Sequence, residues 1–368
     1  MIRVIAYTGG HNAPSRVPRV QQYITPLKAL GVDMLECPSR VGLYPPRELW
    51  RRPFWGLQNL AERLPDVLRS RRYDLSFFQR EMLSTMVTWE PFAKRPRVFD
   101  VDDAIWINRG GRFARRLAKL CDHVICGNCF LAEEFSKWNP RVSILPTPVD
   151  THEFHPGARA CDPQRTIIGW MGLSSGFRFL YGVESALRQV LRLHPGATLR
   201  IISNEPPSFQ ELPQGQVEFI RWTREEQVRL IQEMTIGIMP LDNSIESRGK
   251  CSFKMLLYMA CGLPVVVSPI GMNAEVLRKG EVGFGASSLE EWVSALDDLI
   301  RDAEKRLGMG KIARKIIKDH YSVDILAPQL AATLHAVIGT AALPAKLLPN
   351  AGQNFTQESS SQPVSSPR

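Results

Sequence analysis

The run RGKCSFKMLLYMACGLPVVVSPIGMNAE, Arg248 to Glu275, reads as a loop, a helix, a tight stop, a strand and a second loop that opens another helix. Ser252 is placed to cap the first helix, and Phe253 to Cys261 carry apolar residues at helical spacing. Gly262 followed by Pro264 ends it. Leu263 to Ser268 is continuously apolar and rich in β-branched residues, the pattern of a parallel strand covered by helices on both faces. Beyond it, Pro269, Ile270, Gly271, Met272 and Asn273 form the next loop. The first N–H groups of a helix are unpaired and its N-terminus is positive, so such a start attracts anions. Lys250 and Lys254 flank this one, which fits a diphosphate site and fits equally an ordinary surface helix with two solvated lysines.

Working outward, the 368 residues suffice for two cores of ordinary size. A 44% hydrophobic and 23% charged composition is that of a globular protein. The net charge of +9 implies anionic partners, among which nucleotides, nucleic acid and acidic lipid all qualify. Seven cysteines without paired spacing argue for a reducing compartment, and no run is long enough for a signal-peptide core or a bilayer span. These features predict a cytoplasmic protein, at most peripheral to the inner face of a membrane.

Toward the N-terminus, Ile2–Tyr7 is a strand, followed by the Gly9-Gly10 loop and a helix containing Val20–Leu30. A glycine pair there lets a ligand approach the backbone, although βα loops commonly carry glycine. Residues 41–72 mix Trp50, Phe54 and Trp55 with many arginines, a pattern suited to a bilayer interface. The favoured alternative is a helix with its aromatics packed inward. Arg97–Val101 is a strand running into Asp102 and Asp103, acidic residues at the strand end where α/β sheets place ligands. They suit metal binding, acid/base work or simple helix capping. RGGRFARRLAKL, Arg109 to Leu120, is a basic amphipathic helix that could lie on anionic lipid or face the core with its charges solvated. Cys121, His123, Cys126 and Cys129 do not have the spacing of a structural zinc site, and His123–Gly127 reads as a buried strand. Free core thiols are the expected reading, with no metal.

PTPVDTHEFHP, Pro146 to Pro156, and the Pro- and Gly-rich residues to Arg165 form the best linker. The second half restarts with a strand at Thr166–Met171, a Gly172–Gly176 loop able to cradle phosphate, and a helix to about His194. Further strands at Leu199–Ser203, Val217–Ile220 and Ile236–Pro240 alternate with helices, implying a parallel sheet. Ala341–Arg368 is Ser-, Pro- and Gln-rich and is expected to be disordered.

The 248–275 run resembles the donor-binding segment of retaining glycosyltransferases of the GT-B fold, the family-4 (group 1) type. The matching residues are Lys250, Phe253-Lys254, Tyr258-Met259-Ala260, Gly262 to Val266, Ser268 and Gly271. The linker also resembles the family's interdomain connection. The resemblance covers roughly residues 1–338 and implies an α/β protein of two Rossmann-like parallel-sheet domains facing across a cleft. Expected boundaries are 1–148 for the acceptor domain, 149–165 for the linker and 166–320 for the donor domain, with 321–340 a helix returning to the first domain. The implied function is transfer of a sugar from a nucleotide-diphosphate donor to a hydroxyl acceptor, a glycan or lipid-linked molecule, in polysaccharide or glycolipid assembly. No cofactor and no metal are implied.

By resemblance, the donor side comprises Gly172, Arg178, Trp222, Lys250, Lys254, Gly271, Met272 and Asn273, and the acceptor side Gly10, Arg16 and Arg19. Asp102 and Asp103, with Lys254, hold the catalytic positions. One departure matters. The family's two glutamates, eight positions apart, fall here on Gly249 and Leu257, and Leu257 cannot accept a hydrogen bond from the donor ribose. Glu246 lies three residues too early to be assumed a substitute. That absence supports an alternative, a non-catalytic relative that binds a sugar nucleotide or glycan. Nucleic-acid binding has only charge behind it and no motif. An epimerase of the same architecture is a further possibility.

Overall fold

The computed structural model describes residues 1–10, 13, 15–42, 45–46, 48–157 and 166–341. Arg47, one of the arginines of the 41–72 run, the linker at 158–165 and the tail at 342–368 lie outside the described residues.

The strands are β1 Ile2–Thr8, β2 Val32–Pro38, β3 Leu75–Gln79, β4 Arg97–Val101, β5 His123–Cys126, β6 Val142–Ile144, β7 Thr166–Met171, β8 Ala197–Ser203, β9 Val217–Arg221, β10 Ile236–Met239, β11 Val265–Val267 and β12 Gly283–Gly285. They form two six-stranded sheets, β2-β1-β3-β4-β5-β6 and β12-β11-β10-β7-β8-β9, parallel throughout. Parallel neighbours need crossovers, and the helices supply them. In the first half these are α1 Gln22–Ala29, α2 Arg52–Arg69, α3 Arg112–Leu120 and α4 Cys129–Ser136. In the second they are α5 Phe177–Tyr181, α6 Glu184–Leu193, α7 Gln227–Gln232, α8 Ile245–Arg248, α9 Phe253–Ala260 and α10 Met272–Leu277, while α11 Leu289–Arg301 and α12 Ala303–Ile316 follow the last strand. The architecture is that of two Rossmann-like domains, the GT-B arrangement.

α13, Val323–Ala341, packs with α1 over the first sheet: Leu326, Leu330 and Leu334 share a core with Val20, Tyr23 and Leu27. The chain therefore crosses between domains twice, and the two crossings meet. Val149 N–H donates to the Tyr321 carbonyl at 2.8 Å, and Val323 N–H donates to the Val149 carbonyl at 3.1 Å. Arg314 fastens the linker further, donating to the carbonyls of Thr151, Phe154 and Ala260 at 2.6–2.8 Å.

Several local expectations change. Ser252 precedes α9 in a left-handed conformation, φ 50°, and its hydroxyl donates to Asn273 Oδ1 at 2.6 Å instead of capping α9. The strand expected over Leu263–Ser268 is confined to Val265–Val267, because Pro264 has no N–H to pair. The long helix after Gly176 breaks at Gly182-Val183 into α5 and α6.

α2 departs most from expectation. Trp50 and Phe54 point outward, and the inner face holds Asn59 and Arg63. Arg63 donates from its two terminal nitrogens to the carbonyls of Cys37 at 2.7 Å and Thr8 at 2.6 Å, which offsets part of the cost of burying a guanidinium whose Nε has no partner. α3 begins at Arg112, after a turn in which Arg109, Gly110 and Gly111 have positive φ. Its apolar side, Phe113, Ala114, Leu117 and Ala118, is in the core, so only its basic side is free to meet a surface.

Candidate functional site

In a parallel sheet the loops after the strands all emerge at one edge. The C-terminal edges of the two sheets meet where Lys250 and Cys251 reach the loops after β4 and β5. Asn128, which caps α4 by accepting from Leu131 N–H at 2.8 Å, donates to the carbonyls of Gly249 at 3.2 Å and Lys250 at 3.1 Å. The Cys251 thiol donates to the Asp102 carbonyl at 3.1 Å. Gly249 has to be glycine, since a Cβ there would stand 2.6 Å from the Ala104 Cβ and 2.9 Å from its nitrogen. Both domains thus fix the loop that carries Lys250.

On the donor side, Glu246 bridges two cations. It accepts from Arg178 at 2.6 Å and from Lys250 at 3.2 Å. Burial pushes its carboxyl up, but Arg178 and Lys250 outweigh this and hold it below its ordinary value. The Arg178 guanidinium and the Lys250 ammonium also flank the Phe179 ring, 4.6 Å and 5.8 Å from its centroid. Lys254, the second residue of α9, lies deeper. Its ammonium is 5.2 Å from the Trp170 ring centroid, and burial, with Lys250 adding repulsion, holds its pKa down to about 8. Gly172 makes room for this arrangement, because a Cβ there would meet Lys254 Cε at 2.5 Å and the Trp170 indole at 2.7 Å. Tyr258 fixes the same strand end, accepting the Met171 N–H at 2.7 Å.

Opposite, Asp103 accepts from Ala104 N–H at 2.9 Å. Burial raises its carboxyl above the usual range, while Lys250 and Arg80 pull the other way. Asp102 lies 3.5 Å from Gln79 Nε2, which also donates to Ser15 at 3.0 Å.

Two cavities run along the edge of the second sheet, of about 600 and 330 Å³, sharing Leu241, Asp242, Ser268 and Ser287. The first is also lined by Phe130 of the first domain, Arg248 and Gly271, and the second by Arg178 and Phe179. Lys254 and Gly172 line neither; they sit below, against Trp170. Asp242 accepts from Ser247 at 2.6 Å and from Ser244, and these bonds overcome burial to hold its carboxyl below its usual value.

The structure thus brings Gly172, Arg178, Lys250 and Lys254 together and sets Asp103 beside Lys250. Other candidates need correction. Arg19 is fully buried, donating to both oxygens of Asp100 and to the Leu145 carbonyl at 2.8 Å. Burial alone would lower its pKa, but Asp100 raises it, so Arg19 is a structural cation and does not face an acceptor. Arg16 is held by Glu36 at 2.6 and 2.9 Å. Gly10 has φ 103°, and a Cβ there would stand 2.7 Å from the Ser39 carbonyl, so the glycine serves a close approach of backbone to backbone. Met272 and Asn273 have buried side chains, and Asn273 donates to the Ser268 carbonyl at 3.0 Å, which leaves only backbone for a ligand. At Gly271 a Cβ would strike the Arg248 carbonyl at 2.7 Å. Trp222 is half-exposed at the end of the edge strand β9 and lines neither cavity. Leu257 is 2% exposed within the apolar core.

Sequence reasoning passed over Arg80, Asn128, Asp242 and the bridging role of Glu246. The i, i+4 spacing of Glu246 and Lys250 was the one signal available for any of them. Among the described residues, no group of three or more His, Cys, Asp and Glu side chains is arranged to hold a metal ion. His123 pairs through Nε2 with Ser143 Oγ at 2.8 Å.

Residues 166–302 match the family model described as glycosyl transferases group 1. Spore coat protein SA of Bacillus subtilis (strain 168) is 22% identical over 211 residues, 50% of this chain and 55% of its own length, so the chain spans about half the length of this curated relative. Among solved structures, sucrose-phosphate synthase from Thermosynechococcus elongatus aligns with a TM-score of 0.66 at 13% identity, over 92% of this chain and 100% of that one. HepE from Anabaena, in complex with UDP and glucose, aligns with a TM-score of 0.64 at 15% identity, over 91% and 100%. At these identities the likeness shows the fold.

Proposed function

We propose, from the match of residues 166–302 to the glycosyl transferases group 1 model and from the GT-B fold, that the protein transfers a sugar, with retention, from a nucleotide-diphosphate donor to a hydroxyl acceptor. The observation that carries this reading is the set of three cations, Arg178, Lys250 and Lys254, gathered around a glycine loop at the edge of the second sheet. When the sugar departs, negative charge builds on the diphosphate, and preplaced cations stabilise it there more than in the ground state. Lys254 contributes through a desolvated ammonium that gains from a new anionic partner. The reading needs no metal, since these side chains supply the countercharge.

Across the cleft, Asp103 would orient an acceptor hydroxyl and take its proton, a role supported by burial having raised its carboxyl. The UDP and glucose of the HepE complex support a nucleotide-sugar donor here. The acceptor class is a glycan or lipid-linked molecule.

One observation favours a second reading. Leu257 leaves no carboxylate to meet a ribose, which fits a protein that binds a sugar nucleotide without turning it over. A panel of nucleoside diphosphates and nucleotide sugars in a thermal-shift assay tests both, followed by measurement of donor hydrolysis. A ligand at a hundredfold its Kd stabilises by about 2.7 kcal/mol, so a clear rise in Tm is expected with at least one compound. No rise with any of them overturns both readings, and a rise without hydrolysis or transfer selects the second.

A further inference from the structure

The outer face of α2 is apolar over its whole length. Trp50, Phe54, Leu57, Ala61, Leu64 and Leu68 recur at steps of three and four, which places them on one side of the helix. The five large ones are 38% to 71% exposed. The opposite side, with Asn59, Arg63 and Val67, is buried. A four-turn apolar stripe turned away from its own core implies something outside the chain that covers it.

The charges around the stripe identify that partner. Over residues 49–72 every exposed charged side chain is an arginine: Arg51, Arg52, Arg69, Arg71 and Arg72. Glu62 and Asp66 are partly buried; Glu62 accepts from Ser39 Oγ at 2.6 Å. α3 lies on the same face of the first sheet as α2, since Val67 shares a core with Phe113 and Leu117 while α1 packs into the core on the other face. Residues 107–119 expose Arg109, Arg112, Arg115, Arg116 and Lys119 and again no carboxylate. A second copy docked on the stripe would set arginines against arginines. An anionic lipid surface receives both features, with the rings and leucines in the headgroup–acyl boundary and the cations at the phosphates.

We propose that this face of the first domain, the α2 stripe with the basic sides of α2 and α3, docks the protein on an anionic lipid bilayer. Among the described residues no helix is long and apolar enough to cross a membrane, so the docking is interfacial. The substitution pair Phe54→Asp and Leu57→Asp tests it, because both side chains are outside the core and touch none of the site's groups.

In co-sedimentation, the full chain is expected to partition onto vesicles of mixed phosphatidylcholine and phosphatidylglycerol and to stay in solution with phosphatidylcholine alone. The double variant should lose about tenfold or more of that partitioning. Arg112→Glu with Arg116→Glu should weaken it in a salt-dependent way. The nucleotide-induced Tm shift should be unchanged in both, which separates this proposal from the donor-site reading. No partitioning of the wild type, or equal partitioning of the aspartate variant, overturns it. So does a wild-type dimer in analytical ultracentrifugation that the aspartate variant converts to monomer, since the stripe's partner would then be a second copy.

Discussion

Glu246 accepts a 2.6 Å hydrogen bond from Arg178, 68 positions away in sequence, and in doing so occupies the space between Arg178 and Lys250 with a carboxylate. An incoming diphosphate needs the same two cations. Glu246→Gln removes the competing charge and is expected to tighten nucleoside-diphosphate binding by up to about fivefold, the range of a partly exposed ion pair. Isothermal titration calorimetry at low and high salt would register the change, and a weakened affinity would show that Glu246 instead orients the cations for the ligand.

Lys254 predicts two opposite pH dependences. Its pKa is lowered from 10.5 to about 8 by burial, so between about 8 and 10.5 the unfolded chain holds more protons than the folded one. Folding stability therefore gains a contribution as pH rises through that window. Diphosphate binding behaves the other way, strongest below about 8, where the ammonium is charged, and falling above it. Lys254→Met should abolish both trends, lower affinity by about one to two decades, and leave the fold at least as stable as before. Paired pH titrations of Tm and Kd on both proteins check this.

The buried Arg19–Asp100 pair is a stability element without a ligand role. Arg19→Met should cost about 3–5 kcal/mol in denaturant unfolding, because it strands the Asp100 carboxylate in the core. Adding Asp100→Leu to that variant should recover most of the loss. If the single variant unfolds like the wild type, the pair contributes nothing.

At Leu257 a restored carboxylate meets an apolar core. Leu257→Glu is expected to lower stability by several kcal/mol in the absence of ligand. If the slot faces a ribose when donor is bound, a nucleotide sugar should return a larger Tm increment to this variant than to the wild type. Equal increments would show that ribose recognition does not pass through position 257.

The fold was legible because its signals are local. Continuous apolar strands such as Val265–Val267, each followed by a glycine-bearing loop and a helix, can be read from adjacent residues, and their alternation dictates parallel sheets. Lys250 and Lys254 were legible for the same reason, lying within one helix start. Asn128, Arg80 and the Glu246 bridge were not, because each acquires its role from segments far away in sequence. α2 misled for a different reason. Periodicity reports that a helix has two faces without saying which is inward, and here hydrogen bonds from Arg63 to backbone carbonyls let the polar one face the core. Arg19 misled likewise: an arginine near a strand edge resembles a ligand cation until its partner, Asp100, is seen beneath it.

The two chain crossings bound to each other at Val149 and Val323 limit how the halves of the protein can move. A single covalent tether would allow one domain to swivel, tilt and drift. Two backbones joined side by side by hydrogen bonds act as a door hinge, leaving one soft rotation and resisting the rest. A swing about that line would open the cleft, and the contacts of Asn128 with Gly249 and Lys250 would then be made or broken as a set. Admission of the donor and release of the nucleotide would use the same swing.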